Sequence, residues 1–190
     1  MKDFDRGEIR NLLSRLGELL EAQRTRAALV IVGGAALNLM QVVSRRTVDV
    51  DVLAVGTVRL DGPPVAVEVP ERLPPEILAA AARLSRDLGI PADWIKAVVT
   101  AGGTFTLPPG FAERVQWERL GGLWLGVAGR WDLIALKLHA AVDTDVRSRH
   151  FTYLLALAPT TGELDTAAEW VRSRDAGPGF SALLDQVIQH

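Results

Sequence analysis

Leu29-Val-Ile-Val-Gly-Gly-Ala-Ala-Leu-Asn-Leu39, followed by Ser44-Arg-Arg-Thr-Val-Asp-Val-Asp-Val-Leu-Ala54, is the stretch that decides the fold. An apolar strand over 28–32 runs into the Gly33-Gly34 turn, and a helix over 35–43 starts right after it. A second apolar strand, over 48–55, carries Asp49 and Asp51 two residues apart. Side chains alternate across a strand, so both carboxylates share one face while Val48, Val50 and Val52 take the other. On a solvent-facing strand such a pair is merely polar. Here the rest of the strand is apolar, which sets it inside a sheet. Two like charges there are costly unless a cation neutralises them. A glycine turn at a helix start offers backbone N–H groups to phosphate. The combination suits a bound metal ion and the phosphates of a nucleotide.

Upstream, residues 8–23 place Ile9, Leu12, Leu13, Leu16, Leu19 and Leu20 on one stripe, the pattern of an amphipathic helix. Downstream, the pattern predicts a short strand near Val65–Val69 and a helix that begins at Leu73-Pro74-Pro75-Glu76. That helix ends at Gly89, with Pro91 beyond it. Residues 97–110 read as a loop, with Gly102, Gly103, Pro108, Pro109 and Gly110. Residues 115–120 and 123–128 flank Gly121-Gly122 as a hairpin. Helices are expected over 130–142, 148–157 and 162–173, and over 180–188 after the Gly177-Pro178-Gly179 break. Strands and helices intermix, so the class is α+β, with a small mixed sheet flanked by helices. The expected organisation is one compact unit: an α/β core with its N-terminal helix over 1–128, and a helical region over 129–190 packed on that core.

The chain has 190 residues, 48% hydrophobic and 23% charged, with a net charge of -2. That balance gives no broad nucleic-acid footprint, although it leaves room for a local basic patch. With no cysteine there is no disulfide and no thiolate zinc site. The three histidines, His139, His150 and His190, are too few for a His-rich metal centre. Residues 1–26 lack the apolar core of a signal peptide. No run reaches the roughly 18–20 apolar residues that span a bilayer. The expectation is a cytoplasmic protein without a membrane segment.

The string Val32-Gly-Gly-Ala-Ala-Leu37 with Arg46-Thr-Val-Asp-Val-Asp51 resembles the nucleotidyltransferase superfamily, in particular the branch of AbiEii and MenA-type toxins and related uncharacterised bacterial proteins. Asp132-Leu-Ile-Ala-Leu-Lys-Leu-His-Ala-Ala141 is similar to a lysine-bearing helix of that branch. Leu154-Leu-Ala-Leu-Ala-Pro-Thr160, with Ala168-Glu-Trp-Val171, is similar to its helical tail. The resemblance implies a nucleotidyltransferase-like core and transfer of a nucleotidyl group from a nucleoside triphosphate to an acceptor. It implies that Gly33 and Gly34 cradle the triphosphate and that Asp49 and Asp51 hold Mg2+. It further implies that Arg46 contacts phosphate and that Lys137 reaches the phosphates. The acceptor would be tRNA, in a toxin with an antitoxin partner, or a small molecule. The superfamily usually adds a third carboxylate on a later strand, for which the hairpin region offers Glu113 and Glu118. Relatives carry an acid in the helix after the lysine helix, where this chain has Tyr153 or His150; Asp143 and Asp145 are unmatched substitutes.

Each feature also has a plainer reading. Gly33-Gly34 would serve any tight strand-to-helix turn, and Lys137 would snorkel from an apolar helix face. Arg45 and Arg46 would be solvated loop residues, and Arg147, Arg149, Arg172 and Arg174 a solvated face rather than an RNA strip. The five tryptophans would fill the core or an interface. Beside the enzyme stand two further expectations: a nucleotide-binding module without chemistry, and a partner-binding protein built on the amphipathic N-terminal helix.

Overall fold

Strand β1 (Ala27–Val32) is buried at all six positions because it runs through the centre of a sheet. On one side it pairs antiparallel with β2 (Val50–Gly56), and on the other parallel with β6 (Leu123–Val127). β6 in turn pairs antiparallel with β5 (Gln116–Leu120) around the Gly121-Gly122 turn. The outer edge of β2 is shared. β3 (Val67–Glu68) lies antiparallel against residues 55–56, and β4 (Ile95–Ala97) lies parallel against residues 50–52. The result is a six-stranded mixed sheet within an α+β architecture. Each valine, leucine or isoleucine fully buried in β1 contributes roughly 1.5–3 kcal/mol, which explains why this strand carries no polar residue.

The computed structural model describes residues 3–59, 61–98, 105–144, 147–175 and 177–189. The expected loop residues Gly102 and Gly103, together with Asp145 and His190, lie outside them, as does the side chain of Asp143. The chain divides into two units, Met1–Ala128 and Gly129–His190.

In the first unit, α1 (Arg6–Ala22) starts at a capping box. Asp5 accepts from the Glu8 amide at 2.9 Å, and Glu8 accepts from the Asp5 amide at 2.8 Å. The helix buries Ile9, Leu12, Leu13, Leu16 and Leu20, the stripe expected from its periodicity, and packs on α3 (Pro75–Leu88) and β6. At Gly17 the helix backbone meets the hairpin turn, and the Gly122 amide donates to the Gly17 carbonyl at 2.9 Å. A Cβ at residue 17 would sit 1.8 Å from the Leu120 carbonyl oxygen, so only glycine allows this approach.

Three local expectations are corrected. The helix after the glycines, α2 (Gly33–Leu39), stops four residues short of 43. Gln41 takes a left-handed conformation (φ 61), and the Val42 amide closes back on the Leu37 carbonyl. The second strand begins at Val50 rather than Val48, because Thr47 is occupied in an isolated bridge with Phe4. The segment expected to be loop from 97 begins inside β4, a three-residue strand too short for periodicity to reveal, and the short helix α4 (Phe111–Arg114) precedes the hairpin.

In the second unit, α5 (Arg130–Thr144) packs against α6 (Arg149–Leu157), α7 (Thr161–Arg172) and α8 (Pro178–Gln189). Thr160 and Glu163 form a capping box at α7. Arg130 grips Glu163 through Nε–H to Oε1 at 2.9 Å and donates to the Ala158 carbonyl at 3.1 Å. Among the described residues no helix is long and apolar enough to cross a membrane.

Candidate functional site

The turn from β1 into α2 is shaped around one carboxylate. Val32 faces Asp51 across the β1–β2 ladder, so Asp51 emerges beside the first residue of α2. Gly33 adopts φ 72, a conformation that side chains resist. A Cβ there would lie 2.5 Å from Asp51 Oδ2 and 3.3 Å from its Cγ. Gly33 therefore does two things at once: it turns the chain, and it lets the Asp51 carboxylate rest against bare main chain. Val50 and Val52 on either side are fully buried, so Asp51 alternates with them, while Asp49 lies just ahead of the strand.

Asp49 is delivered by a loop that is tied down at several points. Asn38, 1% exposed, donates through Nδ2 to the Gly34 carbonyl at 3.0 Å and to the Arg45 carbonyl at 2.7 Å. One buried amide thus joins the glycine turn to the segment that leads to the aspartates. Thr47 exchanges backbone hydrogen bonds with Phe4, and its hydroxyl donates to the Asp49 carbonyl at 3.2 Å. The Val50 amide then donates to the Trp94 carbonyl at 2.7 Å, which fixes the start of β2 against β4.

The partner of Asp49 is Lys96, a residue without any motif signal. Its Nζ lies 2.6 Å from Asp49 Oδ2, and Lys96 is the register partner of Asp51 across the parallel β2–β4 pair. The hydrogen bond to Asp49 raises the Lys96 ammonium above its ordinary pKa against the opposing effect of burial. The charges of Asp49, Asp51 and Asp93 add to that rise. The strand beside the aspartate pair therefore presents an ammonium rather than a carboxylate.

Neither expected third carboxylate lies beside β2. Glu118 is on β5, with β1 and β6 between it and β2, and it forms an ion pair with Arg10. Glu113 sits in α4, which leads into β5. Among the described residues no group of three or more His, Asp or Glu side chains is gathered to hold a metal.

Arg46 engages the N-terminus of α1. It reaches Glu8 Oε2 at 2.6 Å, Asp5 Oδ2 at 3.3 Å and Asp3 Oδ1 at 3.4 Å. In the second unit, Lys137 is buried on α5, with Nζ 3.5 Å from His150 Nδ1 and 5.3 Å from the centre of the Tyr153 ring. Tyr153, which with His150 stands where the resemblance expects an acid, thus offers Lys137 an aromatic face. Burial first, and then the Lys137 and Arg149 charges, hold the His150 pKa below the usual histidine range. His139 lies half-buried between the rings of Trp170 and Phe180, each centroid 6.0 Å away.

A family described as "Nucleotidyltransferase of unknown function (DUF6036)" matches residues 8–63, the span from α1 through β2. The match supports the nucleotidyltransferase superfamily over the segment that holds Gly33, Gly34, Arg46, Asp49 and Asp51. It does not extend to the AbiEii and MenA-type branch. Lys96 and Lys137 lie outside the matched span. No curated protein and no solved structure matches the chain significantly.

Proposed function

We propose that the chain is a Mg2+-dependent nucleotidyltransferase that moves a nucleotidyl group from a nucleoside triphosphate to an acceptor. The observation that carries this reading is the Asp51 carboxylate lodged against Gly33, with Asp49 beside it on the same sheet edge as Lys96. Two carboxylates suit Mg2+, which takes one or two protein carboxylates and completes its octahedron with substrate phosphates and water. An incomplete protein cage is what such a substrate-borne metal needs. Asp49 and Asp51 would hold the ion, which would supply positive charge against the negative charge that builds up during transfer.

The chain's own residues supply orientation. Gly33 leaves room for the carboxylate, Asn38 locks the loop to the glycine turn, and Thr47 fixes the Asp49 backbone. Arg46 serves first as an anchor to α1, and a contact with phosphate requires its release from three carboxylates. A tRNA end is the acceptor favoured by the likeness to the toxin branch, which would also supply an antitoxin partner. A small-molecule acceptor fits the net charge of -2 somewhat better.

The test is incubation with each labelled nucleoside triphosphate, Mg2+ and total tRNA. Label should transfer with the wild-type chain and fail with Asp49→Asn. Absence of transfer under conditions where an active relative works rejects catalysis. A second reading, a nucleotide-binding protein without chemistry, draws on Tyr153 in the acid's place and the ammonium on Asp49. It expects Mg2+ and triphosphate to raise the melting temperature without turnover.

A further inference from the structure

Lys96 has an unusual post. It follows Trp94, whose fully buried indole donates to the Ala81 carbonyl of α3 at 3.3 Å, and Ile95, which is 4% exposed. This anchor fixes the Lys96 backbone in register with Asp51, while the side chain itself is 49% exposed. Asp49 and Asp51 both act on this ammonium, and Asp93 adds to the negative field around it. A Mg2+–oxygen bond is about 2.0–2.1 Å long. An ammonium 2.6 Å from Asp49 Oδ2 therefore competes with any divalent ion for that oxygen.

We propose that Lys96 is the resident counter-ion of the Asp49–Asp51 pair, exchanged for a divalent cation when a triphosphate arrives to receive the ammonium. The proposal rests on the nucleotide-site reading given above. Metal alone must evict Lys96 into water while keeping a like charge nearby. Metal that arrives with a triphosphate brings oxygens that give the ammonium a new partner. Metal and polyphosphate binding are thereby coupled through one side chain, and linkage makes that coupling reciprocal. Lys96 would then be a phosphate-contacting residue that sequence patterns for metal ligands pass over, because its role is to stand in for the metal.

The experiment uses the full chain and Mn2+ as the probe ion, read by the electron paramagnetic resonance of free Mn2+. Calorimetry with the preformed Mn2+–tripolyphosphate complex makes the result independent of the base. Lys96→Met is expected to bind Mn2+ alone about twentyfold more tightly than wild type, from the removal of a unit charge about 4–5 Å from a dication in a water-like dielectric. The same variant should bind the Mn2+–tripolyphosphate complex about tenfold more weakly. Lys96→Arg, which keeps the charge, should stay within about twofold of wild type for Mn2+ alone. Opposite signs for the two probes are the signature, since a merely structural loss moves both the same way. Unchanged or weaker Mn2+ binding in Lys96→Met overturns the proposal, as does a shift of both probes in one direction. If wild type still binds Mn2+ and Asp51→Asn abolishes that binding, the nucleotide-site reading survives such a failure. If neither wild type nor Lys96→Met binds either probe, both fall.

Discussion

Gly33→Ala puts the central geometry to a quantitative test. A side chain at φ 72 costs roughly 1–2 kcal/mol. The new Cβ would also lie 2.5 Å from Asp51 Oδ2 and 3.3 Å from its Cγ, an overlap of the kind that costs about 1–3 kcal/mol. The two terms together predict a loss of about 2–5 kcal/mol, severe against the about 5–15 kcal/mol that holds an ordinary domain together. In an Asp51→Ala background both overlapping atoms are gone, and the nearest atom of residue 51 is its Cβ at 3.4 Å, an ordinary contact. There, Gly33→Ala should cost only the backbone term. The double-mutant cycle should show a coupling of about 1–3 kcal/mol, with Asp51→Ala partly rescuing Gly33→Ala. Urea unfolding of the four proteins, followed by tryptophan fluorescence, measures it. A coupling within about 0.5 kcal/mol of zero would mean that the Asp51 carboxylate does not rest on Gly33, and the site as described would be lost with it.

Gly17→Ala should destabilise the N-terminal unit by an amount at or above the top of the about 1–3 kcal/mol overpacking range, because the obstacle is the Leu120 main chain rather than a flexible side chain. Gly162→Ala, with nothing within 4 Å, is the neutral or slightly stabilising control in the same thermal-melt series. Glu163 is held at about 2 by its hydrogen bonds to Arg130 and the Thr160 amide. A depressed carboxylate contributes stability that is present above its ordinary value near 4.5 and is lost as pH falls toward about 2. Melting followed by circular dichroism should show that loss, and Glu163→Gln should flatten it. Lys137→Met removes one of the charges that hold His150 down, so the His150 midpoint, read from its ring proton resonances, should rise. No movement would show that burial and the Arg149 charge set it without Lys137.

The parts of this molecule that the sequence made legible are those with a strong period. The α1 stripe, the wholly apolar β1 and the hairpin around Gly121-Gly122 each repeat a pattern over several residues, and each forms where expected. The Asp49–Asp51 pair was readable because polar residues interrupt an apolar run. β4 was not readable: three residues carry no period, and it is a strand only because Trp94 is anchored beneath α3 and Val50 bonds to its carbonyl. Lys96 was hidden for the same reason, since its importance comes from a long-range register and not from its neighbours in the chain. The end of α2 is not legible in the sequence because Gln41 takes a backbone conformation usually left to glycine or asparagine.

The Phe4–Thr47 bridge and the grip of Arg46 on Asp3, Asp5 and Glu8 join residues 3–8 to the approach of the aspartates. Neither segment has its own hydrophobic anchor of any size beyond Phe4, so each borrows its rigidity from the other. They are expected to open together as one local unit. A substitution or trim that removes Phe4 would loosen residues 44–49 as surely as a substitution among them. Amide exchange would quicken in both places together, although more than forty positions of sequence lie between them.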